Sequence, residues 1–221
     1  MQQQCNMKKL FLLLFLFYHS VHACFAQQDT KIKTVTVNSE STDESNLAPS
    51  LEILEGKYSF EQISSGKYDS LFSKNTISDT GSWDKSCWAR IKITSDADKI
   101  TSWVLKTDKQ YGEVTCYIVY PDGKKIIQKS GWNLPPAKRS VNDADVIFNL
   151  SLAENQVVDV YLKIHTNLRW STLDHVQATL FSMDEWSNIK WKKFAFLLFY
   201  AGICVLAVFF WLMTVPSTFT T

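Results

Sequence analysis

In a chain of 221 residues, 23 Lys and Arg stand against 22 Asp and Glu, for a formal net charge of +1 at pH 7. A balance this close to neutral builds no long-range field of one sign, which excludes the electrostatic footprint of a nucleic-acid-binding protein. Hydrophobic residues reach 46%, enough for one domain with a sizeable core and a membrane segment besides.

Residues 1–26 read as a signal peptide. Lys8 and Lys9 precede a short apolar core, Leu10 to Tyr18, and Cys24-Phe25-Ala26 offers small residues at the cleavage positions. The apolar core is too short to cross a bilayer. Val21-His22-Ala23-Cys24 also looks like a lipobox in which His22 fits poorly, so cleavage after Ala26 and lipidation at Cys24 are the alternatives. Residues 27–50 follow as a polar linker. "NSESTDESNLAPS" is acidic and aperiodic, while "KIKTVTV" before it alternates and is either an edge strand or part of the lead.

From Leu51 the pattern turns to period two, and residues 51–183 are expected to form an extracytoplasmic sandwich domain. "LEILEG" predicts a short strand. "SFEQISSG" predicts one or two helical turns, with Ser59 and Gln62 as a capping box and Gly66 at the stop. "CWARIKITS" sets Cys87, Ala89, Ile91 and Ile93 on one face and Trp88, Arg90 and Lys92 on the other. "EVTCYIVY" and "KKIIQKSG" flank Pro121-Asp122-Gly123, a turn with proline preset at its first corner, and so predict a hairpin. "DVIFNLSL" turns Val146, Phe148, Leu150 and Leu152 inward, "VVDVYLKIHT" does the same with Val158, Val160, Leu162 and Ile164, and "HVQATLF" supplies a last strand. Short strands with turn punctuation and almost no helix predict a mainly β fold, an antiparallel jelly-roll β-sandwich.

After a juxtamembrane segment at 184–193, the uncharged apolar run from Phe194 to Val215 predicts one transmembrane α-helix, and residues 216–221 a short tail. About 20 apolar residues cover the hydrocarbon core, Trp191 and Trp211 lie near the two interfaces, and Pro216 ends the helix. Export at one end and a span at the other place residues 27–193 on the periplasmic side of a bacterial inner membrane. Lys190, Lys192 and Lys193 then sit outside, against the usual bias of short basic flanks toward the cytoplasm.

Little in the exported part suggests catalysis. No nucleophile elbow, zinc helix or phosphate loop occurs, paired carboxylates of the glycosidase kind are not evident, and no enzyme activity, cofactor or metal is expected. His165 and His175, with Asp174 beside the latter, read as structural or solvated. Asn142, Asp143 and Asp145 read as a solvated turn, although such loops sometimes hold calcium. Of the five cysteines only Cys87 and Cys116 fall in the domain; both are in phase with apolar neighbours, and a disulfide in an oxidising compartment and two buried thiols are both open.

The aromatics say more, because sugars stack on indoles in sandwich domains. Trp83, Trp88, Trp103, Trp132 and Trp170 are many for one domain. Trp103 sits in an apolar strand and reads as core, whereas Trp132, in the turn-rich "SGWNLPPAKR", is the best candidate for exposure. With Arg139 of the same loop and the pair Arg169-Trp170 it forms the set of candidate ligand-binding residues.

Taken in order, "SFEQI", "CWARIKI", "VTCYIVYPDGK", "SGWNLPPAKR" and "VYLKIHT", followed at once by "FYAGICVLAVFFWL", resemble the extracellular sensor domain of bacterial seven-transmembrane receptors with diverse intracellular signalling modules. The resemblance covers about Leu51 to Phe181. It implies a jelly roll related to carbohydrate-binding modules that senses a small extracytoplasmic ligand, such as a sugar, at the head of a signal-transduction receptor. In that family the apolar helix is the first of seven, so this sequence corresponds to the N-terminal part of such a receptor, without the remaining spans and output module. A self-contained, membrane-anchored carbohydrate-binding or adhesion module is the alternative.

Overall fold

The structure is a computed structural model describing residues 32–37, 45–77, 85–96, 101–108, 110–167 and 174–214. The signal peptide, Arg169, Trp170 and the tail at 216–221 lie outside these residues. In chain order the elements are β1 (Thr34–Val37), β2 (Ser45–Asn46), β3 (Glu52–Glu55), α1 (Phe60–Ser64), β4 (Ser73–Lys74), β5 (Lys85–Ser95) and β6 (Thr101–Thr107). Then come β7 (Glu113–Val119), β8 (Lys125–Ser130), β9 (Val146–Leu152), β10 (Val157–Thr166), β11 (Ala178–Ser182) and α2 (Met183–Thr214).

Alternation along these strands makes two apolar faces that close on each other. The larger sheet runs β4-β3-β5-β10-β7-β8, with β1 added in parallel beside the far half of β5, and the smaller runs β2-β11-β6-β9. Apart from β1 every pairing is antiparallel. The chain changes sheet at β5–β6, β6–β7, β8–β9, β9–β10 and β10–β11, the back-and-forth of a jelly roll. The inward residues expected on β5, β9 and β10 all lie in the core between the sheets, as does Trp103. The hairpin at Pro121-Asp122-Gly123 forms as expected, with Gly123 at φ 83°.

Two features go beyond what the alternation predicts. Of the two readings of "KIKTVTV" the edge strand is the one formed, as β1 beside β5, and the polar stretch after it adds β2 beside β11; Val37 and Leu47 are buried in the core. Polar composition hid β2 because it is two polar residues long and the buried Leu47 follows just outside it. The second concerns the outer face of β5. Trp88 and Arg90 alternate with the core residues and so point away from it, yet both are buried. A local cap covers them: Tyr58, Phe60, Ile63, Tyr68 and Phe72 pack on Trp88 with Leu54, Tyr117 and Tyr161. Its helix α1 starts on the expected capping box, Gln62 N donating to Ser59 Oγ and Ser59 N donating to Gln62 Oε1. Arg90 is neutralised by Glu52, 2.8 Å from its Nε, and by Asp69, and it stacks 3.9 Å from the Phe72 ring centroid.

The helix α2 doubles back. β11 leaves Ala178, opposite Thr107, and ends at Ser182, opposite Trp103; α2 then returns along the outside of the smaller sheet. Trp186 packs on Val104, Ile147 and Phe181, and Lys190 and Lys193 reach Asp143 and Asp145, just before β9. From Phe194 onward the helix leaves the sandwich and runs about 30 Å at 1.5 Å per residue, its apolar side chains exposed all round. It is long and apolar enough to cross a membrane. The membrane-facing end of the sandwich is therefore the one holding the β6–β7, β8–β9 and β10–β11 connections, and the Pro121-Asp122-Gly123 turn is at the far end.

Candidate functional site

Where the cap ends, the outer face of the larger sheet opens into a trough of about 380 Å³ lined by Lys57, Ser86, Glu113, Thr115, Tyr117, Lys129, Lys163 and His165. Strand register assembles it in rows. Ser86, His165 and Glu113 stand side by side across β5, β10 and β7; next to them come Trp88, Lys163, Thr115 and Lys129; then Arg90, Tyr161, Tyr117 and Ile127. Ser86 Oγ and His165 Nδ1 are hydrogen-bonded at 3.0 Å. Lys163 Nζ lies 5.7 Å from the Trp88 ring centroid, so the covered aromatic cluster forms one wall of the trough.

Three lysines against one glutamate leave the trough positive. Burial first, then the charge of Glu61, pushes the Tyr117 phenol up, so that it stays a hydrogen-bond donor. Hydroxyls, ammonium groups and an imidazole around a partly apolar wall suit a polar ligand with negative charge.

A second cavity, about 650 Å³, lies along Ala48–Glu52 and Phe72–Asn75 with Lys33 and His175. Asn75 closes its seam, donating to the carbonyls of Ala48 (2.9 Å) and Val176 (2.7 Å) and accepting from Val176 N. His175 Nδ1 sits 2.7 Å from Asp174 Oδ1. His165 and His175 thus belong to separate cavities, and among the described residues no three His, Cys, Asp or Glu side chains gather as a metal site.

The "SGWNLPPAKR" loop is rigidly built. Gly131, at φ 137°, crosses Gly112 so closely that a Cβ would lie 2.5 Å from the Gly112 carbonyl oxygen. Trp132 N and Asn133 N donate to the carbonyls of Tyr111 and Gly112, and Ser140 N donates to Lys129 O. The backbone is fixed, yet the Trp132 side chain is 64% exposed. Arg139 is a brace: its Nε donates to Leu134 O at 3.0 Å and its Nη1 to Asp143 O at 2.7 Å. Trp132 and Arg139 therefore share a loop, and neither lines the trough. The trough residues come from separate strands; their one sequence signal is the outward phase of β7 and β10, where Thr115, Tyr117, Lys163 and His165 alternate with core residues.

Cys87 and Cys116 are free, buried thiols. They face Ile164 and Leu162 on opposite sides of β10. Two strand spacings of ~4.8 Å separate them, beyond the ~7 Å Cα limit for a disulfide. Burial, helped by Glu55, pushes the Cys87 thiol up to about 12, and burial also raises that of Cys116.

The junction with α2 completes the picture. Lys190 Nζ is 2.6 Å from Asp143 Oδ1 and Lys193 Nζ 3.5 Å from Asp145 Oδ2. The expected solvated turn at 142–145 is in fact the counter-charge for two of the three lysines before the span.

A family model described as 7TMR-DISM extracellular 2 matches residues 48–173. No curated protein matches. Among solved structures, a Bacillus thuringiensis Cry1Da tryptic core variant aligns with 68% of this chain and 25% of its own at 7% identity, with a TM-score of 0.33.

Proposed function

This chain belongs to the 7TMR-DISM extracellular 2 family, and from that premise we propose that its sandwich is the extracellular sensor of a membrane receptor whose ligand is an acidic carbohydrate. The positive trough carries this reading. Its hydroxyls, imidazole and Tyr117 ring suit sugar hydroxyls and a sugar face, and Lys57, Lys129 and Lys163 suit a carboxylate. The signal peptide at 1–26 would deliver the domain to the periplasmic side of a bacterial inner membrane, with the span at 194–215 holding it there. Trough residues reach α2 through β8: Lys129 N donates to Ser140 Oγ at 2.7 Å, in the loop that ends at Asp143. A ligand that shifts Lys129 therefore acts on a segment fastened to the membrane helix.

Binding of acidic and neutral glycans to the full chain in nanodiscs tests the reading. Acidic glycans should bind, more weakly as salt rises, and Lys129→Ala with Lys163→Ala should weaken binding by about tenfold or more. Equal binding by the double variant would remove the trough as the site.

A further inference from the structure

We propose that the loop carrying Trp132 docks on the outer leaflet of the membrane that α2 enters. The proposal goes beyond ligand sensing and rests on the reading of α2 as a span. Three observations carry it. The first is depth: Asp145, at the end of this connection, pairs with Lys193, the residue immediately before the apolar run opens at Phe194. The connection is thus held at the level of the headgroups, and the Trp132 loop lies at the same end of the sandwich. The second is composition. Trp132, Pro135, Pro136, Ala137 and Lys138 are exposed side by side, an indole with small apolar groups and one cation, which is what the interfacial zone of a bilayer accepts. Trp191, 68% exposed on α2, supplies a second interfacial indole one turn above the span.

The third is rigidity. A loop pinned at Gly112, Tyr111 and Lys129 gains nothing from exposing an indole to water, whereas a fixed backbone presents it to a surface without an ordering cost. The helix and the loop would then give the domain two points of contact with the bilayer. Two contacts fix its tilt, which one helix does not.

The test uses the full chain in nanodiscs of phosphatidylethanolamine and phosphatidylglycerol, with Cys5, Cys24 and Cys204 replaced by Ser. The environment-sensitive fluorophore NBD is placed at Ala137→Cys, at Asp122→Cys in the far turn, or at Ala207→Cys in the span; quenching by headgroup-nitroxide and mid-chain-nitroxide lipids is measured. The Ala137 site should be quenched by headgroup nitroxide several-fold more than the Asp122 site, and adding Trp132→Ser should remove most of that difference. Equal quenching at Ala137 and Asp122, with the Ala207 site quenched by the mid-chain label, would overturn the docking alone. An unquenched Ala207 site would overturn the spanning reading and the docking with it.

Discussion

Lys190 Nζ donates to Asp143 Oδ1 across 2.6 Å, joining a helix bound for the membrane to the connection between β8 and β9. Asp143 is only 10% exposed, and its backbone carbonyl is taken by Arg139. The pair thus lies within a braced structure, where an ion pair counts for more than on an open surface. It also accounts for the lysines that defied the charge bias: two of them are counter-ions of the exported domain.

The apolar half of the same junction gives the first expectation. Trp186, 5% exposed against Val104, Ile147 and Phe181, holds the start of α2 to the smaller sheet. Trp186→Ala should cost the docked segment roughly 3–5 kcal/mol. Amide exchange over 183–193 should accelerate strongly while β5 and β10 stay protected; unchanged exchange there would show that docking does not depend on the indole.

Gly131 gives the second. A methyl group at φ 137° that meets the Gly112 carbonyl at 2.5 Å has nowhere to go. Gly131→Ala should lower stability by about 1–3 kcal/mol and make the Trp132 loop the first site of proteolytic cutting, measured by limited digestion. Gly123→Ala, with open space around its Cβ position though also at positive φ, should cost less.

How far the sequence could be read follows from what each feature depends on. The strands and their inward residues were legible because alternation is local, and the capping box at Ser59 and Gln62 because it spans one turn. Burial of Trp88 and Arg90 was not, since period two separates faces without saying that a segment 30 residues earlier folds over one of them. Leu47 was masked by its polar neighbours. The trough needed strand register, which places Lys163 opposite Thr115 and Thr115 opposite Lys129. The ties of Lys190 and Lys193 to residues nearly 50 positions away had no local trace. The position of the Trp132 loop needed the reversal of α2, which no periodicity encodes.

The thiols give the third expectation. In the folded chain Cys87 and Cys116 should resist alkylation at neutral pH with or without reductant, and both should react after denaturation. Raised pKa values favour the folded state only while the thiols are protonated in both states. Above the ordinary thiol value of 9.0 the unfolded chain loses a proton that the folded chain keeps, so stability should fall as pH rises from about 9 toward 12. The raised phenols of Tyr111, Tyr117 and Tyr161 act in the same direction above 10.0. Cys87→Ala should flatten the first part of that decline in thermal melts.

Arg90 gives the fourth. Its guanidinium is 2% exposed and neutralised by Glu52 and Asp69. Arg90→Ala would leave two carboxylates without their cation and a hole against Phe72, at a cost of roughly 3–5 kcal/mol. Arg90→Met combined with Glu52→Gln and Asp69→Asn should recover much of the loss in a denaturant titration. No recovery would mean that stacking on Phe72, not charge, is what the site requires.

The reversal of chain direction between β11 and α2 has a mechanical consequence. Because the helix returns past the strand it came from, a pull along its axis does not peel β11 from β6 one bond at a time. It loads the rungs from Ala178–Thr107 to Ser182–Trp103 together, in shear. Such a ladder yields only when several bonds fail at once, so small axial displacements of the helix move the smaller sheet as a body. Force arriving from either side of the membrane meets a stiff lever.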